Sequence, residues 1–453
     1  MQKRKLSTCL GLLLALAGGL PVAARAEDLL DIYREAVAND PVLATASAQR
    51  QVVAEGVPQA RAALLPQLSA GLSLQQFHPG NSGVVNDNNG NSEVVAGGGH
   101  SRQRDLSLNL NQTVIDLSKF ARERQAKLTA ESQDATYEGE LQDLYVRATS
   151  AYFRVLVAQD QVEVFRSYED AYKQQYDQAT TMFQQGLAPA ADLTQSQAYY
   201  LYIKSSRVDA ENSLRDARRA LQQLTGKEPG TLKTLRDDLP MEKPTPDNAD
   251  AWVQQAMQQS PDVLAASHLV HADEHSINAA RAGHLPTVNL AVGYDKAGAW
   301  SNRLPGSASY GTGNTTVGLV LSVPLFSGGL TQSQVRQAIS QRDADQGQLE
   351  TVRRQTARDT YNYFNLVESG IDQVNDARIA VDAAKKALAS MRAGYDIGTQ
   401  SLTNVVVAIQ TVAEIRSQYT ALRHQFILNK LLLKRTVGAA TLKDIEDINR
   451  LLQ

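Results

Sequence analysis

The chain has 453 residues, 43% of them hydrophobic and 21% charged, with a formal net charge of -3 at pH 7. It is long enough to bury a large core, and its slightly acidic balance argues against a nucleic-acid partner. The single cysteine, Cys9, lies in an apolar N-terminal run. The rest of the chain therefore offers no thiol for a disulfide, a thiolate metal site or a cysteine nucleophile.

The N-terminus has the pattern of a secretory signal peptide. A Lys-Arg-Lys triplet at 3–5 precedes an apolar run over 10–20, and the small-residue site Ala-Arg-Ala follows at 24–26. Because the apolar run is too short to span a bilayer permanently, we expect a signal peptide over 1–26 and an exported chain starting at Glu27. No later stretch is apolar and long enough for a transmembrane helix, so any membrane span must consist of strands.

Four segments of the exported chain alternate apolar residues with small or polar ones. The segments are 68–75, 105–111, 288–295 and 316–323. A period of two predicts strands with one apolar and one polar face, as in a transmembrane barrel with lipid outside and water inside. The segments between paired strands, 78–101 and 298–313, are rich in Gly, Asn and Ser and are predicted to be flexible outer loops.

A very long helical pattern follows each strand pair. Residues 118–185 contain no proline and a single glycine, Gly139, and their apolar positions recur with the coiled-coil period of about 3.5 residues. The same stripe recurs over 374–395. We predict a helix of about 100 Å after each strand pair. Shorter antiparallel partner helices are predicted over 190–224 and 401–436.

The order of helix, strand pair and long hairpin occurs twice. The segment ARAALLP at 60–66 corresponds to ARAGHLP at 280–286, and both lie directly before a strand pair. We therefore divide the chain into a first repeat at 27–225, a connector at 226–250 that is rich in Gly and Pro, and a second repeat at 251–453.

The number of predicted strands requires oligomerisation. Four strands cannot close a barrel alone, because the smallest outer-membrane barrels need about eight and an unpaired edge in lipid is prohibitive. A dimer would enclose a lumen filled by side chains, whereas a trimer would supply twelve strands, enough for a water-filled pore. We expect an α+β membrane protein in which three chains share a twelve-stranded barrel. The long antiparallel helices would continue this cylinder as an α-helical barrel.

Five segments carry a resemblance to a known family. They are 60–66 (ARAALLP), 185–193 (QGLAPAADL), 280–286 (ARAGHLP), 321–329 (LSVPLFSGG) and 397–405 (IGTQSLTNV). Because these motifs occur in order and in duplicate, nearly the whole exported chain resembles the TolC family of outer-membrane channels. The resemblance implies a homotrimeric channel in the outer membrane with a large periplasmic portion, a helical tunnel and an equatorial collar. Such channels serve efflux or type I secretion.

The resemblance also implies partners. The hairpin tips of the family dock onto a periplasmic adaptor (membrane fusion) protein that serves an inner-membrane pump of the RND or ABC type. The matching tip residues are Gly186, Leu187, Gly398 and Thr399. Independently of the family, Gly186 and Gly398 are typical of glycines that end a helix before a sharp turn. A helix-ending turn and an adaptor contact are compatible roles for these residues.

A gate at the periplasmic end is the second site that the resemblance implies. Asp192 and Tyr395 match positions where family members close the tunnel with polar and acidic residues. Gln400 replaces an expected arginine, and Asn404 and Val407 replace expected acidic residues, so a charged ring that binds cations is not predicted. We predict a closed end held by packing and neutral hydrogen bonds near Asp192, Tyr395, Gln400 and Asn404. Ordinary solvated hairpin residues are the alternative.

Other functions have little support in the sequence. His268, His271 and His275 share one face of a predicted helix, but this spacing alone is a weak metal signature and a solvated helix face is favoured. No catalytic constellation or phosphate loop stands out, so we expect neither an enzyme nor a cofactor. The alternative to a channel is a periplasmic coiled-coil adaptor or scaffold without a pore. Its strands would bury their apolar face in a small soluble sandwich.

Overall fold

The computed structural model describes residues 26–77, 83–86, 92–95, 101–301, 310–397 and 399–453. The predicted signal peptide, apart from Ala26, lies outside these residues. The helices are α1 (Leu29–Asn39), α2 (Pro41–Ala54), α3 (Gly56–Ala62), α4 (Leu117–Gln184), α5 (Ala190–Thr225), α6 (Ala249–Gln259), α7 (Pro261–Arg281), α8 (Leu330–Asp396), α9 (Leu402–Thr436) and α10 (Leu442–Asn449). The strands are β1 (Gln67–Phe77), β2 (Gly83–Asn86), β3 (Ser92–Val95), β4 (Ser101–Ile115), β5 (Thr287–Ser301) and β6 (Tyr310–Ser322). Within the described ranges, no helix combines the length and apolarity needed to cross a membrane.

Four strands form one antiparallel sheet in the order β1–β4–β5–β6. The central pair, β4 and β5, joins the two halves of the chain, with Leu108 opposite Tyr294. Among the described residues, β1 pairs only with β4 and β6 only with β5, so one chain leaves both outer edges of the sheet unpaired. β2 and β3 form a separate hairpin within 78–101, where the sequence predicts only a flexible loop.

One face of the four-stranded sheet is apolar and exposed. The register places Leu68 opposite Leu110 and Leu110 opposite Val292, so the alternating apolar residues gather on the same side. Leu72 of β1 and Leu319 of β6 are each 70% exposed. A soluble sandwich would bury this face inside the protein, and the exposed leucines do not fit that alternative.

Two long helical hairpins, α4 with α5 and α8 with α9, begin at the end of the sheet where β4 and β6 end. α4 and α8 are single helices of 68 and 67 residues, each about 100 Å long. Asp116 Oδ1 caps α4 by accepting hydrogen bonds from the amides of Ser118 at 3.0 Å and Lys119 at 3.3 Å. The helices predicted over 118–185 and 190–224 match α4 and α5 to within one residue at each end.

The largest apolar core lies midway along the long helices. There α4, α5, α8 and α9 meet, and α1, α6, α10 and the connector pack around them. Tyr152 Oη of α4 donates a hydrogen bond to Lys233 O of the connector at 2.8 Å. Isolated bridges pair Glu27 with Leu232 and Leu235 with Leu452. The connector is thereby fastened to both the N-terminal and the C-terminal segments at the middle of the hairpins.

An ion-pair cluster joins the two halves of the chain beside this core. The Arg435 guanidinium of α9 donates to both oxygens of Asp143 of α4, at 2.6 and 2.7 Å, and to Asp262 Oδ2 of α7 at 2.8 Å. A bidentate arginine–carboxylate pair is the strong form of such a contact. Although burial lowers the pKa of Arg435, its bonds to Asp143 and Asp262 raise that pKa overall, so the pairing outweighs the desolvation.

Candidate functional site at the hairpin tips

The first hairpin turns at Gly186. Its φ of 71° lies in the left-handed region, which glycine adopts without a Cβ clash. The Gly186 amide donates to Phe183 O at 3.0 Å and the Leu187 amide donates to Met182 O at 2.9 Å, the paired bonds of a Schellman motif. Leu187 is 75% exposed at the apex. The first turn therefore exposes the apolar side chain of Leu187 on a backbone that is fixed by hydrogen bonds.

The second hairpin turns between Ile397 and Ser401. Gly394 O accepts three hydrogen bonds, from the amides of Thr399 at 2.8 Å and Gln400 at 3.1 Å and from Thr399 Oγ1 at 3.0 Å. A Cβ on Gly394 would lie 2.6 Å from Gln400 Cγ, so a larger residue would displace the Gln400 side chain. The second turn is therefore held by two backbone bonds and one side-chain bond to a single carbonyl, whereas the Schellman bonds of the first turn come from the backbone.

Three of the four predicted adaptor-contact residues can be placed. Gly186, Leu187 and Thr399 are all exposed at the tips, whereas Gly398 lies outside the described residues. Ile397, beside Thr399, is 76% exposed and was not among the predicted contacts. Each turn thus has one exposed apolar side chain at its apex.

The predicted gate residues lie near the tips but do not form a single cluster within one chain. Tyr395 Oη accepts a hydrogen bond from Gln178 Nε2 of α4 at 2.7 Å, which links the second hairpin to the first. Gln400 Oε1 accepts one from Asn404 Nδ2 at 2.9 Å. The Asp192 side chain is exposed on the first turn of α5, and it has no hydrogen-bond or ion-pair partner within the described part of the chain.

Two tyrosines link the hairpins above these residues. Tyr168 Oη of α4 donates to Gln410 O of α9 at 2.7 Å, and Gln410 Nε2 in turn donates to Tyr172 Oη. Both tyrosines are buried, and burial raises the pKa of Tyr172 to about 12. The Tyr172 hydroxyl therefore stays protonated and neutral at physiological pH.

A cleft of about 250 Å³ separates the hairpins just below this link. Asp192 of α5 and Ser401 at the start of α9 both line it, together with Tyr172 and Gln410. The structure therefore brings the predicted gate residue Asp192 near the second hairpin without bonding it there.

Sequence reasoning did not single out Gln178, Gly394 or Gln410. Gln410 directly follows the apolar run VVVAI at 405–409, and a glutamine next to such a run is a signal of a buried polar contact. Gly394 interrupts a helical pattern close to its end, a position at which glycine indicates close packing or a turn. Gln178 carries no comparable signal, because its partner lies 217 residues away.

The histidines of α7 form pairs with glutamates. His268 Nδ1 lies 3.3 Å from Glu131 Oε2, and His271 Nδ1 lies 3.4 Å from Glu274 Oε2. In the residues for which the structure gives a description, no three His, Cys, Asp or Glu side chains are grouped so that they could hold a metal ion.

Comparison with known proteins identifies the family. The sequence model described as "Outer membrane efflux protein" matches residues 32–227 and 252–439, one stretch in each half of the chain. This chain belongs to the outer membrane efflux protein family. The family resemblance predicted from the duplicated motifs is therefore confirmed.

Individual members of the efflux family agree with this assignment. Outer membrane protein TolC of Vibrio cholerae is 30% identical over 96% of this chain and 96% of its own. Alkaline protease secretion protein AprF of Pseudomonas aeruginosa is 26% identical over 92% of this chain and 86% of its own. The solved CmeC outer membrane channel of Campylobacter jejuni, 16% identical, has a TM-score of 0.74 and matches 94% of this chain and 90% of that one. The predicted fold class is confirmed, and these relatives are channel and secretion proteins.

Proposed function

We propose that this chain is an outer-membrane exit duct, which passively conducts cargo from a tripartite efflux pump or a type I secretion system to the exterior. The four-stranded sheet is the observation that carries the proposal. Its exposed apolar face is stable against lipid, and its opposite face is polar enough to line a wet lumen. The two long hairpins begin where β4 and β6 end, and they provide the large periplasmic portion.

Three chains close the barrel. The unpaired edges at β1 and β6 cannot stay open in hydrocarbon, where each unsatisfied backbone group is costly. Pairing β6 of one chain with β1 of the next in a trimer gives twelve strands and removes every edge. In this trimer the repeats 27–225 and 251–453 form equivalent segments of the wall, and the connector 226–250 forms an equatorial collar.

The hairpin tips contact a periplasmic adaptor protein, which couples the duct to an inner-membrane pump of the RND or ABC type. Gly186, Leu187, Gly398 and Thr399 are the proposed contact residues. The exposed apolar side chains of Leu187 and Ile397 support this assignment, because an adaptor that covers the tips removes them from water.

The periplasmic end is closed at rest by packing and neutral hydrogen bonds near Asp192, Tyr395, Gln400 and Asn404. The bonds of Tyr395 to Gln178 and of Gln400 to Asn404 support this proposal. A neutral hydrogen bond contributes only about 1 kcal/mol. A three-fold set of such bonds holds the tip shut, and the binding energy of an adaptor is sufficient to open it. Asp192, exposed on α5, is available to a neighbouring chain.

Native mass spectrometry in detergent tests the assembly. The expected mass is that of three chains, because only an oligomer satisfies the β1 and β6 edges. A stable monomer that remains soluble without detergent would contradict the proposed duct.

Conductance in planar bilayers tests the gate. A Tyr395→Ala, Gln400→Ala double variant should conduct more than the parent, and divalent cations should block the parent only weakly, because the closing groups are neutral. Gln355→Ala, which removes a bond to Asp359 within α8 and away from the tip, is the control and should leave conductance unchanged. Tight block by divalent cations, or a double variant that conducts like the parent, would place the gate elsewhere.

A further inference from the structure

Two helices form the open flanks of the long hairpins. In one chain the hairpin helices lie side by side in the order α5–α4–α9–α8, because α4 contacts both α5 and α9 while α9 also contacts α8. On α5, the exposed residues Ala198, Leu201, Ser205 and Val208 recur every three or four positions and so share one face. Leu201 is 53% exposed. This spacing is typical of a helix face that packs against another helix.

The internal repeat indicates what this face contacts. α4 and α8 end at Gln184 and Asp396, and α5 and α9 begin at Ala190 and Leu402, so a single offset aligns the two hairpins. By this alignment α8 is equivalent to α4, and α5 is equivalent to α9. Within one chain, α4 joins the first hairpin to α9 of the second. In a closed ring of copies, the second hairpin of one chain meets the first hairpin of the next, so α8 meets α5.

A serine–glutamine contact between α4 and α9 has an equivalent on the two open faces. Ser417 Oγ of α9 donates a hydrogen bond to Gln161 Oε1 of α4 at 3.1 Å. The equivalent residues are Ser205 of α5 and Gln373 of α8, which are the same two residue types. Both are exposed, and neither side chain has a hydrogen-bond partner within the part of the chain that the structure describes. Each open face therefore carries one member of a pair that is bonded inside the chain.

An acidic and a basic residue follow the same pattern. Asp160 of α4 and Arg416 of α9 line one cleft, where burial raises the pKa of Asp160 and the charge of Arg416 opposes that rise. Their equivalents are Asp372 of α8 and Lys204 of α5, again one acid and one base, and both are exposed. Over the described ranges neither forms an ion pair, although Lys204 Nζ lies 6.0 Å from the centroid of the Tyr200 ring. The two open faces therefore carry complementary charges at the same level.

The sizes of the apolar residues are complementary as well. Inside the chain, the large side chain of Tyr168 on α4 packs in one cluster with the small side chain of Ala413 on α9. The equivalent of Tyr168 is Ala380 on α8, and the equivalent of Ala413 is Leu201 on α5. The large and the small residue have exchanged helices, so a contact between the open faces is filled without a clash.

We propose that α5 of each chain packs against α8 of a second copy in the alignment of the internal α4–α9 contact. The inference rests on the proposed function, because the trimer brings a second copy to this face, and it adds the residues that align the copies. A second copy is the occupant that the faces favour, since it supplies matching polarity, charge and size at successive levels. The pairs that meet across this interface are Ser205 with Gln373, Lys204 with Asp372 and Leu201 with Ala380.

Cross-linking in detergent tests the alignment. The single cysteine of the chain, Cys9, lies in the predicted signal peptide, so introduced thiols are the reactive ones. A Ser205→Cys, Gln373→Cys double variant is treated with a thiol cross-linker that has a short spacer and is analysed on a denaturing gel. Products of two and three chains are expected, because each interface joins Ser205 of one copy to Gln373 of the next.

Two control variants show whether the reaction reports this contact. Gln161→Cys, Ser417→Cys carries the same substitutions at the equivalent internal positions and should be linked within one chain, which leaves a one-chain band. Ser205→Cys, Lys386→Cys moves the second thiol about 20 Å along α8 and should yield no linked chains. A one-chain band from the Ser205→Cys, Gln373→Cys variant, or equal linkage in the variant with Lys386→Cys, would overturn the proposed alignment.

Charge reversal provides a second measurement. Lys204→Glu places like charges opposite each other and should weaken each interface by about fivefold, the upper range for an exposed ion pair. Adding Asp372→Lys restores opposite charges and should recover the trimer fraction of the parent. Lys386→Glu, at an exposed position on α8, is the control and should leave that fraction unchanged. If Asp372→Lys does not compensate for Lys204→Glu, the two residues do not face each other.

Native mass spectrometry of the same samples separates this inference from the proposed function. If three chains are present but the thiols at 205 and 373 are not linked between chains, the duct stands and the alignment fails. A one-chain mass for the parent would instead remove the proposed assembly, and the interface with it.

Discussion

The middle and the tip of the long hairpins are joined in different ways. At the middle, beside the main core, Arg435 of α9 bonds bidentately to Asp143 of α4 and also reaches Asp262 of α7. Near the tip, α4 and α9 are linked by a neutral hydrogen bond from Tyr168 to Gln410, inside an apolar cluster that is smaller than the main core.

This difference indicates where the hairpins separate most easily. Breaking the cluster at the middle leaves partly buried charges unpaired, which costs several times more than breaking a neutral bond. Neutral groups at the tip exchange their partners for water at a cost of about 1 kcal/mol each. The comparison fits a duct in which the hairpins stay packed together at their middle and separate at the periplasmic end.

The largest effect is expected at the middle. Arg435→Gln should lower the free energy of unfolding by about 3 kcal/mol, because Asp143 and Asp262 lose their shared cation. Thermal unfolding in detergent, followed by circular dichroism, measures the change. Arg354→Gln is the control. Among the described residues Arg354 forms an ion pair with Glu350 on its own exposed helix face and with no other acid, so its loss should matter by less than about 1 kcal/mol. Equal effects of the two substitutions would remove the contrast between the middle and the tip.

An intermediate effect is expected at the tip. A Tyr168→Phe, Tyr172→Phe double variant removes the hydroxyls that bond to Gln410 and should weaken the link between the hairpins by about 2 kcal/mol in total. Conductance should rise, whereas the unfolding temperature should fall less than in Arg435→Gln.

The matched control for the tyrosines is Tyr199→Phe. The Tyr199 ring packs against Tyr172 with 5.8 Å between the ring centroids. This variant keeps the ring contact and loses only the Tyr199 hydroxyl, which does not take part in the bonds to Gln410. If Tyr199→Phe opens the channel as much as the double variant, the hydroxyl bonds to Gln410 do not hold the tip.

The smallest effect concerns the pH dependence of the contact between α7 and α8. Asp273 is 8% exposed, and its burial and its hydrogen bond to Asp345 raise the pKa of Asp273 well above the ordinary value of 3.8. The folded chain therefore holds this proton more tightly than the unfolded chain, so stability is full below pH 3.8 and is lost as the pH rises through the raised pKa.

Asp273→Asn should remove this dependence, because an amide does not titrate. The parent should lose more thermal stability than Asp273→Asn between about pH 5 and about pH 8. Asp343→Asn, at a 61% exposed position on α8, is the control and should keep the pH dependence of the parent. If the pH dependence of thermal stability is the same in all three proteins, the pair of Asp273 and Asp345 does not contribute to it.

The periodic elements could be predicted from the sequence more completely than their ends. The alternation in 288–295 and 316–323 predicts β5 and β6, yet the structure extends them to Ser301 and back to Tyr310, into the predicted loop 298–313. Gly, Asn and Ser disfavour strands locally, but ladder hydrogen bonds to an existing partner strand outweigh that preference. The β2–β3 hairpin was not predicted, because its segment is also rich in Gly, Asn and Ser.

The tip residues were predicted from their positions, whereas their contacts were not. The turn pattern around Gly186 is local, so the sequence is sufficient to place Leu187 at an apex. Tyr395 was predicted as a gate residue, but its bond to Gln178 spans 217 residues and depends on how α8 packs against α4. The hydrogen bonds of the proposed gate could therefore be named only from the structure.

By itself, the sequence determined the strand and helix periods, the duplicated order of elements and the family. These properties are local or repeated, and spacing along one segment is enough to define them. Only the tertiary structure decided which side of α4 faces α9 and which residue of β4 lies opposite Lys296. A period gives the spacing within an element but not its alignment with a distant one. That alignment is set by packing and ladder bonds between segments far apart in the chain. The register of the central strands and the neutral link at the tip both follow from it.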